Sequence, residues 1–216
     1  MKRSVVVLGV VLGLAVLLPL TEASGRQAVS AAERPMSQLA LRAPQVGPGY
    51  RAQVVPGGRK VQGQVTLDLC GSGYLSEALR TERIQIGYLH RRSPLAVSNE
   101  VVRYRRGGAE LAYAELDTRV SRCPRTPVPS PVRGVGSLTW RLTRISDPRL
   151  LRLSVAVQAR VSGTVNGKRK VADSFAVYQV HGNVLSAVYT YGGTVAAQRR
   201  LVLRAAALSA KNLRQS

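Results

Sequence analysis

The sequence is poor in the residues that build metal centres and cross-linked scaffolds. It contains two Cys and two His in 216 residues, and His90 and His181 lie far apart in the chain. Two cysteines exclude a four-cysteine zinc site and a small fold held together by many disulfides. The separation of the two histidines argues against most histidine-based metal sites. We therefore expect no metal or other cofactor.

Acidic residues are also scarce. The chain has 11 Asp and Glu against 32 Lys and Arg, which gives a formal net charge of +21. The hydrophobic fraction of 45% is too high for a wholly disordered chain, although aromatic residues make up only 5%. A chain of this length can bury a real hydrophobic core in one domain.

Residues 1–25 have the pattern of a secretory signal peptide. Lys2 and Arg3 precede an apolar run over residues 5–20, and the small residues Ala23 and Gly25 fit a cleavage site. The run is at the short limit for a membrane span, which takes about 20 residues. No second run of that length follows. The pattern predicts a chain that is secreted or held in the cell envelope, outside the cytoplasm. If the segment is not cleaved, it would anchor the chain in a membrane.

The remaining chain divides into a linker and one domain. Residues 26–45 show no sustained hydrophobic period and are expected to form a flexible linker, whereas residues 46–214 carry regular patterns. Helical spacing of apolar residues predicts two main helices, one over 109–123 and one that begins at Thr194. Period-two alternation predicts strands over 65–70, 83–91, 98–105, 137–145, 153–161, 175–180 and 184–191.

This order of elements predicts an α+β fold. The last four predicted strands form a meander, which favours an antiparallel sheet. We expect a sheet of about six to seven strands with the two main helices packed on one of its faces.

Cys70 and Cys123 are expected to form a disulfide. An even pair of cysteines in an exported chain is most simply one structural bond. A redox or nucleophilic thiol is the alternative, but neither cysteine has the C-x-x-C partner that would support it. The bond would tie the end of the first predicted strand to the end of the middle helix.

Three tyrosines on the last two predicted strands are candidate ligand-binding residues. Tyr189 and Tyr191 share one strand face, and Tyr178 lies on the neighbouring strand. Aromatic side chains with hydroxyl tips suit a ligand groove, but they equally suit a half-buried sheet face, and both interpretations stay open. Trp140 alternates with apolar residues and is predicted to lie in the core.

The last predicted helix carries the candidate electrostatic contacts, Arg199, Arg200 and Arg204. Export and the absence of a known nucleic-acid-binding pattern argue against nucleic acid as the partner. Anionic envelope polymers, lipid head groups or acidic partner proteins fit this charge better. A solvated basic surface without a specific polyanion is the alternative.

Four segments together resemble a known family. They are Leu67–Cys70, Asn99–Tyr104, the helix end at Cys123-Pro124, and Val188–Gly193 before a C-terminal helix. They are similar to small secreted actinobacterial proteins and to the PknH-like extracellular sensor domain, over roughly residues 46–213. The resemblance implies an antiparallel sheet with packed helices and a ligand-sized cleft. Family members generally have two disulfides, whereas two cysteines allow one here.

These observations lead to one preferred function and two alternatives. We expect a monomeric, non-enzymatic, sensor-like binding domain for an extracytoplasmic small molecule or cell-envelope component. The first alternative is an envelope protein that docks its basic surface on an anionic polymer or a partner protein. The second is a hydrolase whose site the sequence does not reveal, because no catalytic constellation is recognisable.

The first prediction concerns export. The mature protein should begin at Ser24 or Arg26, because Ala23 and Gly25 are the small residues after which cleavage is expected. N-terminal sequencing of the protein recovered from outside the cytoplasm measures this directly. Recovery of a chain that still begins at Met1 in the membrane fraction would show that the segment is an anchor.

Overall fold

The chain folds around one antiparallel β-sheet with helices packed on it. The computed structural model describes residues 34–71, 73–132, 135–165 and 168–215. The strands are β1 Tyr50–Val54, β2 Arg80–His90, β3 Ala96–Tyr104, β4 Val128–Pro129, β5 Ser137–Arg144, β6 Ser154–Val165, β7 Lys168–His181 and β8 Val184–Tyr191. The helices are α1 Met36–Leu39, α2 Ala43–Val46, a 3₁₀ helix Leu75–Leu79, α3 Gly108–Ser121 and α4 Val195–Arg214.

The eight strands follow the order β1-β2-β3-β8-β7-β6-β5-β4, and every neighbouring pair is antiparallel. The prediction of an α+β fold with an antiparallel sheet is confirmed, with eight strands rather than six or seven. β8 pairs with β3 on one side and β7 on the other, so the C-terminal meander is joined to the first hairpin at the centre of the sheet.

Helices cover both faces of the sheet. Ala176 and Tyr178 of β7 pack in the cluster that contains the buried residues of α3, which defines the α3 face. Phe175 and Val177 of the same strand pack with α4, which defines the α4 face. The prediction that both main helices lie on one face is therefore wrong. The sequence signal for two covered faces was the mainly apolar character of β8 and of β7 from Phe175 onward, which is typical of strands that are buried on both sides.

Two predicted elements differ from the structure near the N-terminal half of the sheet. Residues 65–70 form no strand, although Leu67 and Leu69 are both buried as their alternation suggested. β1, which the sequence analysis missed, lies instead at the edge of the sheet with four of its five residues exposed. A strand with no buried face leaves no period-two hydrophobic pattern to detect.

The predicted linker also differs from the structure in its described part. From residue 34 onward the chain forms α1 and α2, and Met36, Leu39 and Leu41 are buried at 3% exposure or less. The backbone N–H of Leu41 donates to Asn99 Oδ1 at 2.8 Å, which fixes this segment on the α4 face. The remainder of the linker and the predicted signal peptide lie outside the described residues. Within the described part, no helix is long and apolar enough to cross a membrane.

The predicted disulfide between Cys70 and Cys123 is confirmed. The two Cα atoms are 5.4 Å apart and the sulfurs are bonded, with 53 residues of sequence separation. Cys70 has a left-handed φ of 61°, and the following Gly71 N–H donates to Asp68 O at 3.0 Å, so the chain makes a tight turn at the bond. The disulfide therefore ties this turn to the end of α3.

The second prediction concerns the stability that this bond contributes. Changing Cys70→Ser together with Cys123→Ser should lower the free energy of unfolding by about 2 to 4 kcal/mol, because the unfolded chain regains the freedom of a long closed loop. Urea unfolding of both proteins gives this difference. Reductant should lower the stability of the native protein and leave the double variant unchanged; equal stability of native protein and double variant would contradict the prediction.

Candidate functional site

The structure brings the three predicted tyrosines together. Tyr178 and Tyr189 make an edge-to-face contact with ring centroids 5.7 Å apart, and Tyr189 stacks on Tyr191 at 6.4 Å. All three lie on the α3 face, since they occupy alternate positions on β7 and β8. The tyrosines therefore form a real cluster, as the sequence suggested.

The chain itself covers this cluster. Tyr178 is 2% exposed and packs in the core of the α3 face, and Tyr189 donates its hydroxyl to the carbonyl oxygen of Thr66 at 3.4 Å. Burial raises the pKa of both phenols well above their ordinary range. The segment over residues 64–71, which we call the covering loop, thus fills part of the space that an open groove would need.

A buried ion pair fixes the sheet beneath the covering loop. Arg83 on β2 donates Nε to Glu100 on β3, and both side chains are at most 3% exposed. Glu100 also accepts from Thr66 Oγ1 at 2.7 Å, which links the loop to the sheet. Arg83 donates further to Gln85 Oε1 at 2.7 Å, and Gln85 in turn donates to Ser98 Oγ at 3.2 Å. A buried charge is tolerated when it is paired and hydrogen-bonded in this way.

A second ion pair holds the loop from the other side. Glu77 in the 3₁₀ helix accepts from the backbone N–H groups of Thr66 and Leu67, each at 3.1 Å. Arg80 pairs with Glu77 at 3.2 Å and donates to Thr66 Oγ1 at 2.9 Å and Gln64 O at 2.7 Å. The backbone of the covering loop is therefore satisfied by side chains, which explains why it forms no strand ladder.

Asp68 is the acidic residue of the covering loop. Among the described residues it forms no ion pair with an arginine. It is partly buried and lies close enough to Tyr178 and Tyr191 to add to the effect of burial in raising the pKa of both phenols. Burial, and to a smaller extent the nearby carboxylate of Glu100, together raise the pKa of Asp68 to about 6. The sequence analysis missed Asp68, Glu100 and Arg83. The sequence did contain one indication of the ion pair, namely a charged residue at positions 83 and 100 within predicted strands.

The three predicted arginines lie on the other side of the molecule. Arg199, Arg200 and Arg204 are exposed on α4, so the sheet separates them from the tyrosines. The two sets of candidate residues therefore do not lie at one site. Arg204 donates Nη2 to the carbonyl oxygen of Val46 at 2.5 Å, which ties α4 to α2.

A shallow groove of about 300 Å³ lies on the α3 face between the 3₁₀ helix and α3. It is lined by Gly73, Leu75, Ala114, Glu115, Thr118 and Arg119. Leu75 is 73% exposed, and the guanidinium of Arg119 lies 5.4 Å from the ring centre of Tyr74. Glu115 is already used, since it accepts from the backbone N–H groups of Leu75 at 2.6 Å and Ser76 at 3.1 Å.

The comparison with solved structures finds a similar extracellular domain. The extracellular domain of PknH from Mycobacterium tuberculosis matches 87% of this chain and 100% of that chain, with 14% sequence identity and a TM-score of 0.48. No protein-family model and no curated protein matches the chain. The likeness is one of overall chain path and assigns neither a function nor a site residue.

The third prediction concerns the pH dependence that Asp68 creates. Between about pH 4 and pH 6 the folded protein holds a proton on Asp68 that the unfolded chain has already released. The free energy of unfolding should therefore fall as pH rises through this window, by about 1 to 2 kcal/mol from this group. Asp68→Asn should remove that fall, as measured by urea unfolding at a series of pH values.

Asp147→Asn is the matched control. The Arg149 guanidinium holds the pKa of Asp147 at about 2, so its contribution is present above its ordinary pKa and is lost only in more acidic solution. This variant should keep the fall in stability between about pH 4 and pH 6. An identical pH profile for native protein and Asp68→Asn would show that Asp68 does not titrate in this range.

Proposed function

We propose that this chain is an exported, non-enzymatic, sensor-like binding domain whose ligand is an anionic component of the cell envelope. The observation that carries the proposal is the outward face of α4. This helix has five exposed cationic side chains and no acidic residue, at positions Arg199, Arg200, Arg204, Lys211 and Arg214. Among the described residues, none of the five forms an ion pair with a carboxylate.

The dimensions of this face suit an extended polyanion. The cations run from position 199 to position 214, which is about 22 Å along the helix, a length that one small molecule does not cover. Arg200 and Arg204 are one turn apart, and Arg199 lies roughly 100° around the helix from Arg200. Cations that have no carboxylate partner act over about 8 Å at physiological ionic strength and attract a charged surface before contact.

The disulfide supports the location. A bond between Cys70 and Cys123 persists in an oxidising compartment and is rare in the cytoplasm. It agrees with the secretory pattern at the N-terminus. We therefore place the proposed binding activity outside the cytoplasm.

The arrangement of acids supports binding rather than hydrolysis. Hydrolysis by paired carboxylates requires two acids that are free to act as proton donor and as base or nucleophile. Glu77 is engaged by two backbone N–H groups and by Arg80, and Glu100 is engaged by Arg83 and Thr66. Asp68 is left without a second free carboxylate beside it.

The groove beside Tyr74 supports a second candidate, the binding of a small molecule. Its volume of about 300 Å³ is at the lower end of the range for small-molecule sites. Leu75 offers an exposed apolar contact and Arg119 a cation that is held above an aromatic ring. A ligand with an apolar body and one anionic group fits these two side chains. This site would depend on the α3 face and would be independent of α4.

The fourth prediction tests the α4 surface. The triple change Arg199→Gln, Arg200→Gln and Arg204→Gln should weaken binding to phosphatidylglycerol vesicles about tenfold to hundredfold, because each cation near an anionic surface contributes roughly 1 kcal/mol or less. Binding of the native protein should also weaken sharply as the salt concentration rises. Co-sedimentation with the vesicles, and with phosphatidylcholine vesicles as the neutral surface, measures both effects.

A charge-matched variant separates this surface from net charge alone. Arg105→Gln, Arg106→Gln and Arg122→Gln remove three exposed cations that lie outside α4. This variant should retain most of the binding. Equal losses in the two triple variants would show that total charge, and not α4, determines binding. Binding that resists salt and depends on Arg119→Gln would support the small-molecule candidate.

A further inference from the structure

β1 is an edge strand that is paired on one side only. It forms one end of the sheet order, and its five residues pair with β2 from Tyr50↔His90 to Val54↔Ile86. The opposite edge of the sheet, β4, has only two residues, and one of them is Pro129. A short strand with proline is a common protection against pairing, and β1 has neither feature.

The outward-facing backbone groups of β1 can be identified from the hydrogen bonds at its two ends. Arg91 N donates to Gly49 O at 3.4 Å, and Val55 N donates to Gln85 O at 3.1 Å. In an antiparallel pair the residues that exchange bonds with the partner alternate with residues that face away. Ala52 at the centre of β1, with Tyr50 and Val54 on either side, therefore directs its N–H and C=O groups outward. In the part of the chain that the structure describes, no group bonds to them.

Apolar side chains border this edge on both faces of the sheet. Val54 is 43% exposed on the α4 face. Leu89, which pairs with Arg51 across the β1–β2 ladder, is 51% exposed on the α3 face. An added strand would cover backbone groups and would bring its alternate side chains next to Val54 on one face and next to Arg51 on the other. Leu89 lies one strand further in.

The positive charge around the β1 edge favours an acidic partner. The sequence from Arg34 to Leu67, which contains β1, has no acidic residue, and neither has the sequence from Arg83 to Asn99, which contains most of β2. Exposed cations lie on β1 and directly beyond its two ends, at Arg51, Arg59, Lys60, Arg91 and Arg92. A second copy of this chain would bring the same cations, and a net charge of +21, against each other.

We propose that the open edge of β1 binds an extended acidic segment of a partner protein, which adds a ninth strand to the sheet. The outward N–H and C=O groups of Tyr50, Ala52 and Val54 supply the main-chain hydrogen bonds, and the surrounding arginines attract the acidic side chains. The hydrogen-bonding groups of this edge belong to β1 and the cations of the other surface belong to α4. The two surfaces approach each other at Arg204: burial raises the pKa of the Tyr50 phenol, and the Arg204 guanidinium lies close enough to oppose that shift.

The test uses a synthetic peptide of about eight residues, within the usual range of strand lengths, in which Glu alternates with Val. The purified protein should bind it in a calorimetric titration. The same peptide with N-methyl groups on alternate residues keeps its charge but loses the hydrogen bonds along one edge, so its binding should be weaker by about tenfold or more. A peptide with Lys in place of Glu should not bind.

Two variants of one residue locate the site. Ala52→Pro removes the outward N–H, and should weaken binding of the acidic peptide about tenfold. Ala52→Val keeps the N–H and should bind as the native protein does. Backbone amide hydrogen exchange gives a second measurement, in case Ala52→Pro alters the fold. In the native protein, the amides of Tyr50, Ala52 and Val54 should exchange more slowly when the peptide is bound.

Three results would overturn the proposal. Equal affinity for the N-methylated peptide would mean that charge alone holds the peptide. Unchanged exchange at Tyr50, Ala52 and Val54 would place the peptide elsewhere. A dimer in sedimentation that Ala52→Pro converts to monomer would identify a second copy as the occupant. In the triple α4 variant, the N-methylated peptide should still bind more weakly than the unmodified peptide. This result would show that peptide binding at β1 does not depend on the proposed binding of the envelope at α4.

Discussion

Burial of the sheet on both faces is the constraint on which the rest of the structure depends. Side chains along a strand alternate between the two faces, so the position number of a residue decides whether it contacts the α3 layer or the α4 layer. Tyr178 joins the α3 layer and its neighbour Val177 joins the α4 layer. For this reason two groups of candidate residues that are close in sequence, the tyrosines of β7 and β8 and the arginines of α4, end on opposite sides of the molecule.

The covering loop shows how one segment can be fixed without regular secondary structure. A disulfide holds one end of it at Cys70, and Glu77 and Glu100 bind it through Thr66. These contacts have different physical origins, since the covalent bond acts mainly by restricting the unfolded chain and the carboxylates satisfy polar groups in the folded chain. Asp68 lies in this constrained segment, where burial first and the nearby carboxylate of Glu100 second raise the pKa of its carboxyl.

Local sequence patterns predicted most of the helices and strands. They could not predict which elements pack together when these lie far apart in the sequence. The strand predicted over residues 184–191 matches β8, and the helix predicted from Thr194 begins with that residue as its cap, whose Oγ1 accepts from Ala197 N at 3.2 Å. Leu67 and Leu69 are buried as predicted, but Thr66 and Cys70 are buried as well, so burial does not alternate over residues 65–70. The backbone N–H groups of Thr66 and Leu67 donate to Glu77 instead of to a neighbouring strand. The side of the sheet on which α4 packs depends on the path of the connection after β8, and hydrophobic spacing carries no information about that path.

The few acidic residues determine where positive charge remains available. Among the residues that the structure describes, six of them pair with arginines, at Glu77, Glu82, Glu100, Asp117, Asp147 and Asp173. After Asp173 the chain has no acidic residue at all, and between Arg34 and Leu67 it has none either. These two stretches contain α4 and β1, so both surfaces that we propose for binding lie where no carboxylate of the same segment can neutralise the cations. At these two surfaces an anionic partner therefore meets little competition from the protein's own carboxylates. Its electrostatic attraction to the protein is strongest there.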